Sequence, residues 1–203
     1  RNYAAVVKPM LELIGMTKGV SRVAASNLML TKRGPMFLAD TTINLNPTAK
    51  QLAKICQLTA SLVKMFGMKP NIALLSFSNF GASSSESSKK IKLAVDHIHK
   101  YHPNVVIDGE LQADFALNPE MLKKEFPFSK LVDKKVNVLI FPNLESANIS
   151  YKMMKELYDA ESIGPIMMGL KKPAHILQLG ASVDEIVNMA AVAVIDAQNK
   201  SKK

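Results

Sequence analysis

Four short polar segments each follow a run of apolar residues. They are Asp40-Thr41-Thr42, Ser76-Phe77-Ser78-Asn79, Asp108-Gly109-Glu110 and Pro142-Asn143-Leu144-Glu145. Hydroxyls, amides and carboxylates gathered in this way can hold an anion, orient a substrate or move a proton. The stretch from Ser76 to Ser88 is a candidate phosphate cradle, because backbone N–H groups opening a helix, with hydroxyls and a glycine nearby, attract anions. The same composition describes a plain connection whose serines cap the next helix. It is not a P-loop, since the Gly-x-x-x-x-Gly-Lys pattern is absent. Asp108 and Glu110 are two residues apart. Strand alternation points them the same way, which makes them a candidate acid/base pair; carboxylates that cap loops fit the same pattern.

Other reactive side chains have simpler readings. His97, His99 and His102 share one segment, but residues two apart on a helix face different directions, so the spacing is poor for a metal. His175 falls at an expected strand position without an identifiable partner. Cys56 is the single cysteine; it excludes an internal disulfide framework, fits a reducing cytoplasm and lies on an apolar helix face, where a packed thiol is expected. The net charge is +9. Such charge suits either nucleic acid or a phosphorylated small molecule. Aromatics are only 6% and tryptophan is absent, which argues against stacking on bases. The lysines at 89, 90, 92, 100, 123, 124, 134 and 135 read mainly as solvated helix faces. No apolar run reaches the ~18 residues that a membrane span needs.

These polar segments need strands and helices to position them. Val6, Val7, Met10, Leu11 and Ile14 predict a first helix ending at Gly15. Apolar runs at 20–30 and 36–43, separated by Thr31-Lys32-Arg33-Gly34-Pro35, predict a hairpin. Asn46-Pro47-Thr48 predicts a helix start, with proline at the first helical position and Leu52, Ile55, Cys56, Thr59, Leu62, Val63 and Phe66 on one face. Further strands are expected at 72–77, 105–107, 138–141, 163–170 and 174–177. Helices are expected at 86–102, after Glu145 with Ala147, Tyr151, Met154 and Tyr158 on one face, and from Ser182 onward. The last helix is so apolar from Ile186 to Ile195 that it is expected to be covered on most sides. Alternating elements of this kind imply an α/β layered fold, whose ligands bind outside the carboxyl ends of the strands. Arg1 is not an initiator methionine and a helix begins almost at once, so the chain reads as cut from a longer one.

Several segments resemble the phosphate acetyltransferase family in order along the chain. Phe37-Leu38-Ala39-Asp40-Thr41-Thr42-Ile43-Asn44-Leu45-Asn46-Pro47-Thr48 is similar to that family's Phe-Ala-Asp…Asn-Pro-x-Pro-Thr block. Leu75-Ser76-Phe77-Ser78, Asp108 to Asp114, Asn137 to Ile149, Ile163-Gly164-Pro165-Ile166 and Ser182 to Asn188 resemble further family segments. The resemblance implies a layered α/β/α fold of the phosphotransacetylase and isocitrate/isopropylmalate dehydrogenase type, with an acyl-CoA site between two domains. It implies that residues 1–21 are a remnant of the first domain, that 22–168 form most of the second, and that 169–203 return to the first.

The departures from the family pattern bear on function. Active members carry a serine, an arginine and an aspartate around the start of the last helix, the aspartate proposed as the base that deprotonates CoA. Those positions hold Gln178, Leu179 and Glu185 here. A leucine cannot supply the planar bidentate donor that neutralises phosphate. A first-helix arginine appears as Lys8, and the family's cysteine as Thr41. The resemblance therefore implies a degenerate catalytic set, with acyl-CoA or phosphate binding carried by Lys8, Thr41, Ser76, Ser78, Asn79, Gln178 and Glu185. Phe77-Ser78-Asn79-Phe80-Gly81, Gln178 to Val183 and Ile186-Val187-Asn188-Met189 resemble the C-terminal extension of hybrid malic enzymes. That resemblance implies acetyl-CoA as effector, no cofactor bound here, NADP and a divalent metal in N-terminal malic enzyme domains, and a cytoplasmic homo-oligomer. An active phosphate acetyl/butyryltransferase is the alternative.

Overall fold

The computed structural model describes residues 3–158, 160–177 and 180–201. The hairpin forms as its sequence predicts. Strands β1 (Ala24–Thr31) and β2 (Gly34–Ala39) pair antiparallel, with Thr31 opposite Gly34 across the Lys32-Arg33 turn. The next helix, α2 (Ala49–Met65), starts later than expected. Its cap is Thr48, which forms a capping box with Gln51, and Pro47 precedes the cap instead of opening the helix. The box satisfies two end groups reciprocally, an advantage Asn46 could not supply. Leu52, Ile55, Cys56, Thr59, Leu62 and Val63 are buried on the predicted face. Burial also pushes the Cys56 thiol far above its ordinary pKa, so it serves the core and not chemistry.

The remaining strands are β3 (Asn71–Leu75), β4 (Val106–Leu111), β5 (Val138–Ile140) and β6 (Glu161–Met168). Among the described residues they form one sheet in the order β4-β3-β5-β2-β1-β6. β2, β3, β4 and β5 pair parallel, while β1 lies antiparallel between β2 and β6. Helices α2, α3 (Glu86–Tyr101) and α7 (Val183–Ser201) share one core with one face of the sheet. Helices α4 (Ala113–Leu117), α5 (Pro119–Glu125) and α6 (Leu144–Tyr158) share a second core with the other face. This is the expected α/β/α layering. Helix α1 (Tyr3–Ile14) packs through Val7, with Met10, Leu11 and Ile14 half-buried, against Val23, Ala25, Met167 and Leu170. Val6 falls outside that contact and is exposed.

Several expectations need correction. Residues 174–177 form no strand; His175 and Ile176 fold back on β6 and α1 instead. β4 runs through Leu111, so Asp108 and Glu110 lie inside a strand. They do not act as a pair. Asp108 accepts from the Ser129 hydroxyl and the Lys130 N–H, whereas Glu110 accepts from the Ser78 hydroxyl and the Gly81 N–H. The register shift between β3 and β4 at Ala73 and Leu75 breaks the alternation the expectation assumed. Tyr158 is exposed, outside the buried face of α6 formed by Ala147 and Tyr151. Helix α7 buries Met189, Val192 and Asp196, but leaves Val183, Ile186, Val187 and Val194 exposed.

Gly109 is where β3 and β4 come closest. Its φ is +149°, and a Cβ there would lie 2.5 Å from the Leu74 carbonyl oxygen. Gly109→Ala is expected to lower stability by roughly 1–3 kcal/mol or more, from conformational strain and the clash. Urea unfolding followed by circular dichroism measures the change; an unaltered midpoint would contradict this packing.

Candidate functional site

The loops after β2, β3 and β5 meet at the carboxyl end of the sheet. β3 and β5 are neighbours, yet the helix after β3 packs on one face and the helix after β5 on the other. Such a switch point leaves a crevice between the loops. The open crevice here spans about 670 Å³; Asn46, Pro47, Thr48, Ser87, Lys90 and Asn143 line it, and so do the acidic residues Glu86 and Glu145. Three helix starts converge on it. Thr48 caps α2, Ser85 caps α3 by accepting from Ser88 N–H, and Asn143 Oδ1 accepts from Ser146 N–H at the start of α6. Each start presents partial positive charge. Lys90 adds a full one: its Nζ donates to Asn46 Oδ1 at 2.7 Å and to the Pro142 carbonyl at 3.0 Å. Partial burial lowers the Lys90 pKa. Sequence reading placed Lys90 on a solvated helix face. Its position just past the first turn of α3, soon after the serine-rich loop, was the available signal.

The loop after β2 is built on one carboxylate. Asp40 is buried; its Oδ1 accepts from the N–H groups of Ala25, Thr42 and Ile43, and its Oδ2 from Asn44 N–H and the Asn44 side-chain amide. Burial pushes the Asp40 carboxyl up from its ordinary value, against the hydrogen bonds from Thr42, Asn44 and Ile43 that pull it down. Thr41, next in the chain, is fully buried. Its hydroxyl donates to Asn27 Oδ1 at 2.6 Å, Asn27 Nδ2 donates to Ser162 Oγ, and Asn148 Nδ2 donates to the Thr41 carbonyl. This chain of bonds joins β1, β6 and α6 beneath the crevice.

The loop after β3 is held from the side by β4. Ser76 N–H donates to the Leu111 carbonyl, the Ser78 hydroxyl donates to Glu110 Oε1, and the Asn79 amide exchanges hydrogen bonds with Gln112. Ser76, Ser78 and Asn79 are therefore brought together, but the Ser78 and Asn79 side chains are engaged within the protein. Glu185 sits elsewhere, at the start of α7. Its Oε2 accepts from Ser182 N–H, the Ser182 hydroxyl accepts from Glu185 N–H, and its Oε1 pairs with Lys155 Nζ of α6 at 3.2 Å. The Ser182 N–H and the Lys155 ammonium hold the Glu185 carboxyl below its ordinary value. Lys8 is exposed on α1. Gln178 and Leu179 lie outside the described residues. Of the histidines, His99 Nε2 bonds the Ile107 carbonyl and His97 stacks on Tyr101. His175, expected to be partnerless, accepts from Met167 N–H through Nδ1. Among the described residues no group of three His, Cys, Asp or Glu side chains is placed to hold a metal ion, and no helix is long and apolar enough to cross a membrane.

Residues 1–194 match the model of the family described as phosphate acetyl/butaryl transferase. The chain belongs to this family. Its sequence is 39% identical to the NADP-dependent malic enzyme of Haemophilus influenzae, over 98% of this chain and 26% of the relative. It is 36% identical to the phosphate acetyltransferase of Clostridium acetobutylicum, over 95% of this chain and 60% of that one. The solved phosphotransacetylase of Streptococcus pyogenes superposes with a TM-score of 0.90 at 34% identity, covering 100% of this chain and 61% of the other. The chain thus spans about a quarter of the malic enzymes it matches (26%) and about three-fifths of the acyltransferases (60%).

The capping box at Ser182 and Glu185 has a pH signature. A depressed carboxyl pKa contributes stability above the unfolded value, and that contribution is lost as pH falls through the lower folded value. The Glu185 side chain is 37% exposed, so solvent screening keeps the effect below about 1 kcal/mol. Glu185→Gln is expected to lower the melting temperature slightly near neutral pH, with the difference from wild type shrinking as pH falls below about 4. Thermal melts across that range test the assignment; a pH-independent difference would refute it.

Proposed function

We propose that this chain is the acetyl-CoA-responsive regulatory region of an NADP-dependent malic enzyme, and that it binds its ligand without turning it over. Glu185 carries this reading. It stands where the family resemblance puts the base for CoA. Here the carboxylate is committed to Ser182 N–H and Lys155 Nζ, and its lowered pKa makes it a weak proton acceptor. Other positions support the same reading. The Thr41 hydroxyl, at the family's cysteine position, is turned inward to Asn27. Lys8 keeps a positive charge but not the planar fork of an arginine. Binding is supported by the three helix starts and Lys90 at the crevice, which favour a phosphate, against the acidic residues Glu86 and Glu145 that also line it.

In this proposal the parent protein converts malate to pyruvate and CO₂ in N-terminal domains, which would also hold NADP and a divalent metal. The exposed apolar residues of α7 suit contact with those domains or with a second copy, in keeping with a homo-oligomer. A buried, unpaired cysteine suits the cytoplasm. The second reading is an active phosphate acetyl/butyryltransferase, favoured by the 36% identity to the Clostridium acetobutylicum enzyme.

Two measurements on the intact protein separate these readings. Calorimetric titration with acetyl-CoA is expected to give saturable binding, while an acetyl phosphate and CoA assay is expected to give no turnover above background. Failure to bind acetyl-CoA at about 1 mM, an affinity of only ~4 kcal/mol, would overturn the first reading. Turnover that Glu185→Gln abolishes would establish the second.

A further inference from the structure

His175 is the one histidine of the described residues whose ring is enclosed by three parts of the fold. Its side chain is 2% exposed. Nδ1 accepts from Met167 N–H of β6 at 3.2 Å. A ring nitrogen that accepts a hydrogen bond carries no proton, so the neutral ring holds its proton on Nε2. Nε2 lies 3.6 Å from Asp196 Oδ2 of α7, too far for a hydrogen bond, and has no hydrogen-bond partner among the described residues. The same Asp196 oxygen accepts from Lys200 Nζ at 3.0 Å. The ring borders a space of about 420 Å³ between α2, β6 and α7, which leaves room for it to shift. The ionisable groups around that space are Asp196 and Lys200 from α7 and Lys64 from α2; β6 and the segment at 17–20 contribute none to its lining.

We infer that His175 is a proton-operated latch fastening the segment at 173–177 to the edge strand β6. The neutral ring binds β6 through Nδ1. Adding a proton at Nδ1 sets two N–H donors against each other and breaks the bond to Met167. The resulting imidazolium instead attracts Asp196, which Lys200 already neutralises. One proton therefore moves the ring's strongest contact from the strand to the helix. Burial lowers the His175 pKa, Asp196 opposes this, and Lys200 adds to it. The sign follows. The latch is fully closed above the ordinary histidine value of about 6.5, and its contribution is lost as pH falls through the lower folded value. The inference is independent of which ligand the crevice takes.

Nitrogen-detected NMR of the imidazole in the intact protein reads the latch directly. Near neutral pH, Nδ1 is expected to show the unprotonated shift and Nε2 the protonated one. Hydrogen exchange of the Met167 amide, corrected for intrinsic rates, is expected to lose protection as pH falls from about 7.5 to 5.5. His175→Asn keeps an acceptor near Nδ1 without a titrating group, so its protection should be flat over that range. Asp196→Asn should move the wild-type transition to lower pH. A proton on Nδ1 at neutral pH, or the same pH dependence in His175→Asn, would overturn the latch. Should His175→Asn fail to fold, the tautomer measurement and the direction of the Asp196→Asn shift still decide it.

Discussion

Buried carboxylates hold the upper end of this sheet in shape. A carboxylate stripped of water costs several kcal/mol unless donors surround it. Asp40 meets that constraint by collecting N–H groups from Ala25, Thr42, Ile43 and Asn44, which wraps the chain around the end of β2. Asp108 does the same for the 129–130 turn, and Glu110 for the 78–81 loop. Each loop follows the path that satisfies its carboxylate.

One result is that the loop side chains face inward. The hydroxyls of Thr41 and Ser78 and the amide of Asn79 are spent on Asn27, Glu110 and Gln112. The crevice presents backbone polarity at three helix starts, the Lys90 ammonium and the acidic residues Glu86 and Glu145. The chain is similar to two kinds of relative, an acyltransferase and a malic enzyme.

The layering was legible because its signals are local. The Lys32-Arg33 turn, the periodic face of α2 and the strand runs before Ser76 and Pro142 each sit within one element. The losses came from tertiary effects. Asp108 and Glu110 parted because a register shift beside Gly109 breaks period-two alternation, and that glycine was its one sign in the sequence. His175 found Met167 only because residues 173–177 fold back on β6. Lys90 looked like any exposed helix lysine until α3 placed it beside Asn46 and Pro142. The apolar content of α7 was plain in the sequence, but which residues it leaves uncovered depends on neighbours a periodicity cannot name.

The antiparallel insertion of β1 has a consequence in time. Its pairing with β2 is local and closes through a tight turn, the kind of contact that forms in microseconds. Its other side pairs with β6, more than a hundred residues later in the chain, at Met29 with Ser162 and Leu30 with Glu161. Until that partner is synthesised and docked, eight residues of apolar strand present an open row of backbone donors and acceptors. On the ribosome, this early hairpin waits for its cover until β6 has emerged.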